Sequence, residues 1–373
     1  MSVLIASSVA RTCLGDDRAT FAALLRGACG VTELRYVPAE RLNVRAGYHI
    51  DEHGPERHRR ASRWLGECVA EAVSRAGLDP ARQRVAALVG TGLRELRAVE
   101  RWALDGVPLR REQLHFAGTV RDAAPGTGAA VTLSNACSAG GYALALGQDL
   151  VELGEADAVV VAGADAMTES MLAMIGRFGD EPTERVRPFD AGRTGVLLGE
   201  GAAAVVLVPE GATADPVARL LGTGLSCDAH HETAPDLTGI RRAVLDALRR
   251  AGRGPTEVDV VYAHGTGTDL NDPTEAAVLR EVFGTDAAGP LVTAVKGAVG
   301  HTSGAAALTS LAMAVHSLRE GVVPPVVGLR RTLMEGVGLR FVRDRPQPAR
   351  VGLVQVNAFG FGGVNAVSLV GAP

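Results

Sequence analysis

Apolar residues in this chain fall into two patterns that alternate from end to end. Short β-branched runs are separated by longer stretches whose apolar positions recur three and four residues apart, so strands and amphipathic helices are expected in turn. In the first half, Val3–Ser8, Val85–Gly90, Val131–Ser134, Ala158–Ala162 and Ala203–Val208 predict strands. Arg18–Arg26, Ala61–Ala76 and Ala139–Leu153 predict the helices between them. In the second half, the strand candidates are Val217–Leu225, Val258–Ala263, Leu291–Thr293, Val351–Val356 and Ala366–Val370. Its helix candidates are Gly239–Ala251, Thr274–Phe283 and Ala305–Arg319. Strands that read as unbroken apolar runs are buried on both faces, which predicts parallel-rich α/β layers. Element order repeats between the halves, so a duplicated α/β unit is expected, 1–212 and 213–373, jointed near Pro209–Asp215.

Composition narrows the class. The chain has 373 residues, 47% apolar and 21% charged, with a net charge of -4. That excludes a disordered chain, and it excludes the basic face a general nucleic-acid binder needs. The five cysteines are odd in number and scattered (Cys13, Cys29, Cys68, Cys137, Cys227). They form neither a disulfide framework nor a zinc pattern, which points to a reducing compartment, the cytoplasm. No apolar run reaches the roughly 18 residues of a membrane helix, so no membrane span is expected. Of 38 basic residues, only Lys296 is a lysine. A lone lysine in an Arg-biased chain marks a place where an ammonium is wanted, or is a remainder of that bias.

Four segments carry candidate chemistry. In Ser134–Gly147, SNACSAGGYALALG, a strand turns into a helix at Cys137. Unpaired N–H groups and the helix dipole there favour thiolate, although a small cysteine also packs well at such a junction. In Ala263–Glu275, AHGTGTDLNDPTE, His264 leaves a strand into a loop with two hydroxyls, Thr266 and Thr268, and Asp272 precedes a helix-starting proline as an N-cap. The segment Thr293–Leu308 holds Lys296 and His301. Val356–Ala366, VNAFGFGGVNA, surrounds Phe361 with glycines whose N–H groups suit an oxyanion.

In this order, Cys137, His264-Gly-Thr-Gly-Thr, Lys296 with Gly300-His301, and Phe359-Gly-Phe-Gly-Gly, the segments resemble the β-ketoacyl synthases of fatty-acid and polyketide assembly. Arg187–Leu207 and DAHHETAPD (Asp228–Asp236) add to the likeness, which covers nearly the whole chain. The resemblance implies a thiolase-like α/β fold, two similar halves in αβαβα layers. It implies a Cys-His-His synthase in which Cys137 takes an acyl group and His264 and His301 hold the malonyl thioester oxygen as CO2 leaves. Backbone N–H groups of Cys137 and Phe361 match the oxyanion hole, and the Phe361 side chain matches the gate. Lys296 matches the family's active-site lysine, expected buried and paired with Asp272 or Glu275. Thr266 and Thr268 match pantetheine-binding hydroxyls, Phe359 falls in the substrate-binding set, and Leu93 matches a chain-length position.

No resident cofactor or metal is implied, since acyl groups arrive on the phosphopantetheine of an acyl carrier protein or on CoA. The implied partners are an acidic acyl carrier protein and a homodimer mate or related subunit. Arg57, Arg59, Arg60, Arg63, Arg94, Arg97 and Arg101 are candidates for a basic docking face. Three departures stand out: a short stretch between Leu93 and Cys137, Arg193-Thr194-Gly195 in place of Arg-Asp-Gly, and Arg94 where a small residue is usual and where it would crowd or polarise the pocket. Other chemistries on the same fold are transfer of the acyl group from Cys137 to an alcohol or amine, and a non-catalytic partner subunit, which usually lacks the cysteine. A degradative thiolase would want a second cysteine near the C-terminus, and a priming synthase an Asn in place of His301.

Overall fold

The computed structural model describes residues 3–35, 37, 39, 42–51, 59–177, 181–285 and 288–373. Its first half supplies strands β1 (Val3–Thr12), β2 (Val85–Gly90), β3 (Ala130–Leu133), β4 (Ala158–Asp165) and β5 (Gly201–Pro209). The second half supplies β6 (Ala218–Cys227), β7 (Val260–Tyr262), β8 (Leu291–Thr293), β9 (Arg340–Phe341), β10 (Leu353–Gly360) and β11 (Val364–Gly371). Hydrogen bonds link them in the order β9-β8-β7-β10-β11-β6-β1-β5-β4-β2-β3. All ten strands expected from the hydrophobic pattern are present, and β9 extends one edge.

Both halves use one recipe. With the edge strand β9 set aside, each half has five strands, and outward from the middle their order is first, fifth, fourth, second and third, with antiparallel pairing for the first two steps and parallel pairing for the last two. The sheet is therefore mixed rather than parallel-rich, because the first and fifth strands of each half run against their neighbours. The two sets meet where Val3, Leu4 and Ile5 of β1 pair with Leu220, Arg219 and Ala218 of β6.

The helices are α1 (Asp17–Leu25), α2 (Arg60–Arg75), α3 (Leu96–Asp105), α4 (Ala117–Ala123), α5 (Ala139–Glu152) and α6 (Glu169–Ile175). They continue as α7 (Leu237–Ala251), α8 (Asn271–Phe283), α9 (Lys296–Val299) and α10 (Ala306–Glu320). Alternate residues of the strands feed different layers, as a period of two requires. In β4, Val159 and Val161 join the central core with Leu144 of α5 and Leu308 of α10, whereas Val160 and Ala162 pack outward against α2. On the far side, α7 and α8 cover β7 and β11 with Ile240, Val244 and Leu279. Helices α5 and α10 lie in the middle, touching strands of both halves and each other. Their starts meet backbone to backbone: a Cβ on Gly140 would stand 2.8 Å from the Gly304 carbonyl oxygen. Only glycine allows that approach, and it brings the Cys137 turn beside the His301 loop.

The helices α3, α4 and α6 have no counterpart among the sequence-based expectations. The first two fill the segment between β2 and β3, and α6 follows β4; each is too short or too mixed in composition to give a clear period.

Candidate active site

Cys137 sits in a single 3-10 turn, Ala136–Ser138, that runs directly into α5. The preceding Ala136 is held at φ +57, a left-handed conformation that L side chains rarely adopt and that tends to collect at functional turns. The N–H groups of Cys137 and Phe361 both bond to the sulfur. Gly360 makes this possible, since a Cβ there would stand 3.2 Å from the Cys137 nitrogen. Sequence favours thiolate at Cys137, and here the structure reverses the expectation. Burial pushes the thiol up to about 11, against the pull of the Lys296 charge and the backbone donors. Desolvation of the anion outweighs the helix start.

The histidines are both buried, and their rings stand edge to face with centroids 5.4 Å apart. Burial, helped by the Lys296 charge, holds both well below the ordinary histidine value, so both are neutral at pH 7. Their tautomers follow from their neighbours. His301 Nδ1 accepts the Ser303 N–H at 3.2 Å, so its proton lies on Nε2. His264 Nδ1 faces Lys296 Nζ at 3.2 Å, and an ammonium can only donate, so His264 also carries its proton on Nε2. Two neutral imidazoles thus act as Nε2–H donors.

Lys296 is buried as expected, but its direct partners differ. Its ammonium donates to the His264 carbonyl and Nδ1, and no carboxylate lies within ion-pair distance among the described residues. Burial lowers it to about 8, and the charge of Glu275 opposes that fall. The carboxylates are taken by backbone donors instead. Glu275 accepts the N–H groups of His264 at 2.7 Å and Gly265 at 2.8 Å, and the Asn357 amide at 3.0 Å. Asp272 accepts from Phe189, Thr266 and Gly267. Asp272 is therefore not an N-cap: it lies within the first turn of α8 and turns back to order the His264–Gly267 loop. Burial raises the pKa of both carboxyls, and the hydrogen bonds they accept oppose this.

Cys137, His264, His301, Phe359, Phe361, Leu93, Thr266 and Thr268 all line one cavity of about 300 Å³. Phe359 lies 5.5 Å from the His264 ring, and the Thr266 and Thr268 hydroxyls bond each other at 2.9 Å. Its apolar lining includes Val44, Leu198 and the α6 residues Met171 and Ile175, which pack in one cluster, together with Leu93 and Met174. Thr268 and Asp269 are polar lining. Phe361 is 41% exposed, as a side chain at an entrance would be.

The proposed basic face fares less well. Arg57 lies outside the described residues. Arg60 is buried against Glu200 at 2.6 Å, because its guanidinium closes the contact between α2 and β5. Arg59 reaches Ser62 and Thr119, and Arg63, Arg97 and Arg101 pair with acidic neighbours. Arg94 is exposed and does not line the cavity, so it neither crowds nor polarises the pocket. Arg193 braces the polar lining, donating to the Thr268 carbonyl at 3.0 Å. Sequence reasoning passed over Asp165, a buried carboxylate behind Leu93. Its signal was an acidic residue closing an otherwise apolar strand.

The chain is similar to known proteins in sequence and in fold. The pattern described as "Beta-ketoacyl synthase, N-terminal domain" matches residues 46–212, and "Beta-ketoacyl synthase, C-terminal domain" matches residues 217–330. The 3-oxoacyl-[acyl-carrier-protein] synthase 2 of Coxiella burnetii is 34% identical over 250 residues, 63% of this chain and 60% of that protein. Nodulation protein E of Rhizobium meliloti is 35% identical over 249 residues, with the same shares. The chain thus spans about 60% of the length of the curated relatives it matches. A solved structure described as the ishigamide ketosynthase/chain length factor superposes with a TM-score of 0.90 at 31% identity, covering 100% of this chain and 99% of that one. On both the sequence patterns and the fold, the chain belongs to the β-ketoacyl synthase family.

Proposed function

We propose that this protein is a cytoplasmic β-ketoacyl-acyl carrier protein synthase, joining an acyl group to a malonyl-type unit with loss of CO2. The observation that carries the reading is the pair of neutral imidazoles, each with its proton on Nε2, beside Cys137 in one cavity. Cys137 attacks the acyl thioester, and its proton leaves with the departing carrier thiol. The N–H groups of Cys137 and Phe361 hold the oxyanion. The malonyl thioester oxygen then accepts the His264 and His301 Nε2–H bonds, CO2 leaves, and the enolate carbon attacks the acyl-cysteine carbonyl. Collapse of that adduct expels the Cys137 thiolate, which is reprotonated from solvent.

The remaining roles follow position. Thr266 and Thr268 bind the pantetheine arm of the carrier protein or CoA. Phe361 gates its entry, and Lys296, Asp272 and Glu275 hold the His264 loop. No resident cofactor is proposed. The apolar lining of the cavity suits a hydrocarbon-like acyl chain. Pairing with a second copy, or with a related subunit, is supported by the open edge strand β3, whose Val131 is 45% exposed.

The test is intact-mass spectrometry of enzyme and carriers supplied with acyl-carrier and malonyl-carrier, beside Cys137→Ala. A carrier product heavier by the condensed unit, absent in the variant, is expected. Acylated Cys137 without extension would mean simple acyl transfer to another acceptor. No mass shift on Cys137 with any donor would remove the catalytic reading.

A further inference from the structure

We propose that Asp165 is a positioning residue that ties the Leu93 wall of the cavity to the loop carrying His301. It rests on the condensing reading above and adds a link between its two halves.

Asp165 ends β4 and is buried. Its Oδ1 accepts the Thr91 hydroxyl at 2.6 Å and the Leu93 N–H at 2.8 Å. Its Oδ2 accepts the Gly92 N–H at 2.8 Å and the Gly304 N–H at 2.7 Å. Three of these donors belong to the loop that places Leu93 in the apolar lining of the cavity. The fourth, Gly304, follows Ser303, whose own N–H fixes the His301 tautomer. Ser303 is held at φ +48, a conformation that needs support from its surroundings. The two loops are in backbone contact, since a Cβ on Gly304 would lie 2.4 Å from the Thr91 Cα. A carboxylate is the side chain this geometry demands. Each oxygen meets a backbone N–H, so an amide at this position would turn N–H against N–H whichever way it faced.

Charge adds a second readout. Burial raises the Asp165 carboxyl to about 6, with its four hydrogen bonds opposing. Glu95 and Cys137 feel its charge, and His301 lies across the Gly304 contact, its imidazole held well below the ordinary histidine value by burial and the Lys296 charge. Below about pH 6 the acid is protonated, one oxygen stops accepting, and the link loosens. Activity carried by this residue therefore falls as pH drops through about 6.

The experiment compares wild type, Asp165→Asn and Thr91→Val. It measures CO2 release from malonyl-carrier, Cys137 acylation across a series of chain lengths, and the His301 tautomer by 15N-histidine NMR. Expected for Asp165→Asn is a kcat for CO2 release lower by about 10- to 100-fold at similar KM. Its chain-length preference flattens, its acid limb disappears and its His301 tautomers mix. Thr91→Val, which keeps the three backbone donors, shows a smaller loss in the same direction, and it decides the matter if Asp165→Asn does not fold. The proposal is overturned if the tautomer and chain-length preference stay at wild type in the folded variant, or if all activities fall by one common factor with an unchanged pH profile. Wild type that releases no CO2 would sink the condensing reading, while the tautomer signal would still decide the role of Asp165.

Discussion

Lys296 sets the protonation pattern of His264. As an ammonium it has donors only, so His264 must offer Nδ1 as an acceptor and carry its proton on Nε2. Above about pH 8 the buried amine gains a lone pair and can accept from His264 instead, so the tautomer is no longer fixed. Since the charged form exists below that value, CO2 release is expected to decline as pH rises through about 8. A pH–kcat profile flat to pH 9.5 would contradict this. Cys137, raised to about 11, is expected to alkylate ever faster with iodoacetamide well past pH 9, without an earlier plateau. Replacing His301 with Ala removes one donor to the developing enolate. CO2 release should fall by roughly 10²–10³-fold while mass spectrometry still finds acylated Cys137. The cysteine, the lone lysine and both histidines were legible because their four motifs together resemble a known family, whereas each motif alone also reads as ordinary packing or turn structure. The partner of Lys296 was not, because hydrogen-bond choice in a buried site depends on which backbone donors have already claimed Asp272 and Glu275.

Helix α6 shows what a short element can hide. Met171, Met174 and Ile175 recur at three and four residues, which puts them on one helical face, and that face forms part of the apolar lining of the cavity. Seven residues are too few for such a period to stand out in the sequence. Its start is fixed twice, by the Thr168 hydroxyl and by Glu100 of α3, which accepts the N–H groups of Glu169 and Ser170 and the Ser170 hydroxyl. Met174→Trp is expected to shift acylation toward shorter chains, read from competing acyl-carriers in one mixture. Glu100→Ala strands those three donors and should lower stability by about 1–3 kcal/mol, with a broader range of chains accepted. A melting temperature like wild type together with an unchanged chain distribution would refute that account. Arg60 gives the opposite lesson. Its charge made it a candidate for a basic docking face, whereas contact with Glu200 and stacking on Trp64 bury it, a tertiary effect invisible in local pattern.

At the scale of the molecule, the doubled element order along the chain was legible because buried strands keep a strong apolar signature in both halves. The direction of the first and fifth strands was not, since an apolar run looks alike in a parallel or antiparallel neighbourhood. The halves depend on glycine where they touch. Gly304→Ala would force a methyl into the Thr91 backbone, and a loss of about 1–3 kcal/mol is expected in chemical denaturation, with CO2 release falling further than stability alone predicts. The layout also has a consequence for synthesis on the ribosome, where the N-terminal part folds first. By the time β5 emerges, the chain already carries Cys137 at the head of α5. It still lacks His264, Lys296, His301 and the Phe361 N–H, and β1 still waits for β6 on its open side. The nascent chain therefore holds a protonated, unassisted thiol amid passing thioesters. The hairpin of β10 and β11 appears after Lys296 and both histidines, and with its Phe361 N–H it completes the set of groups around the thiol.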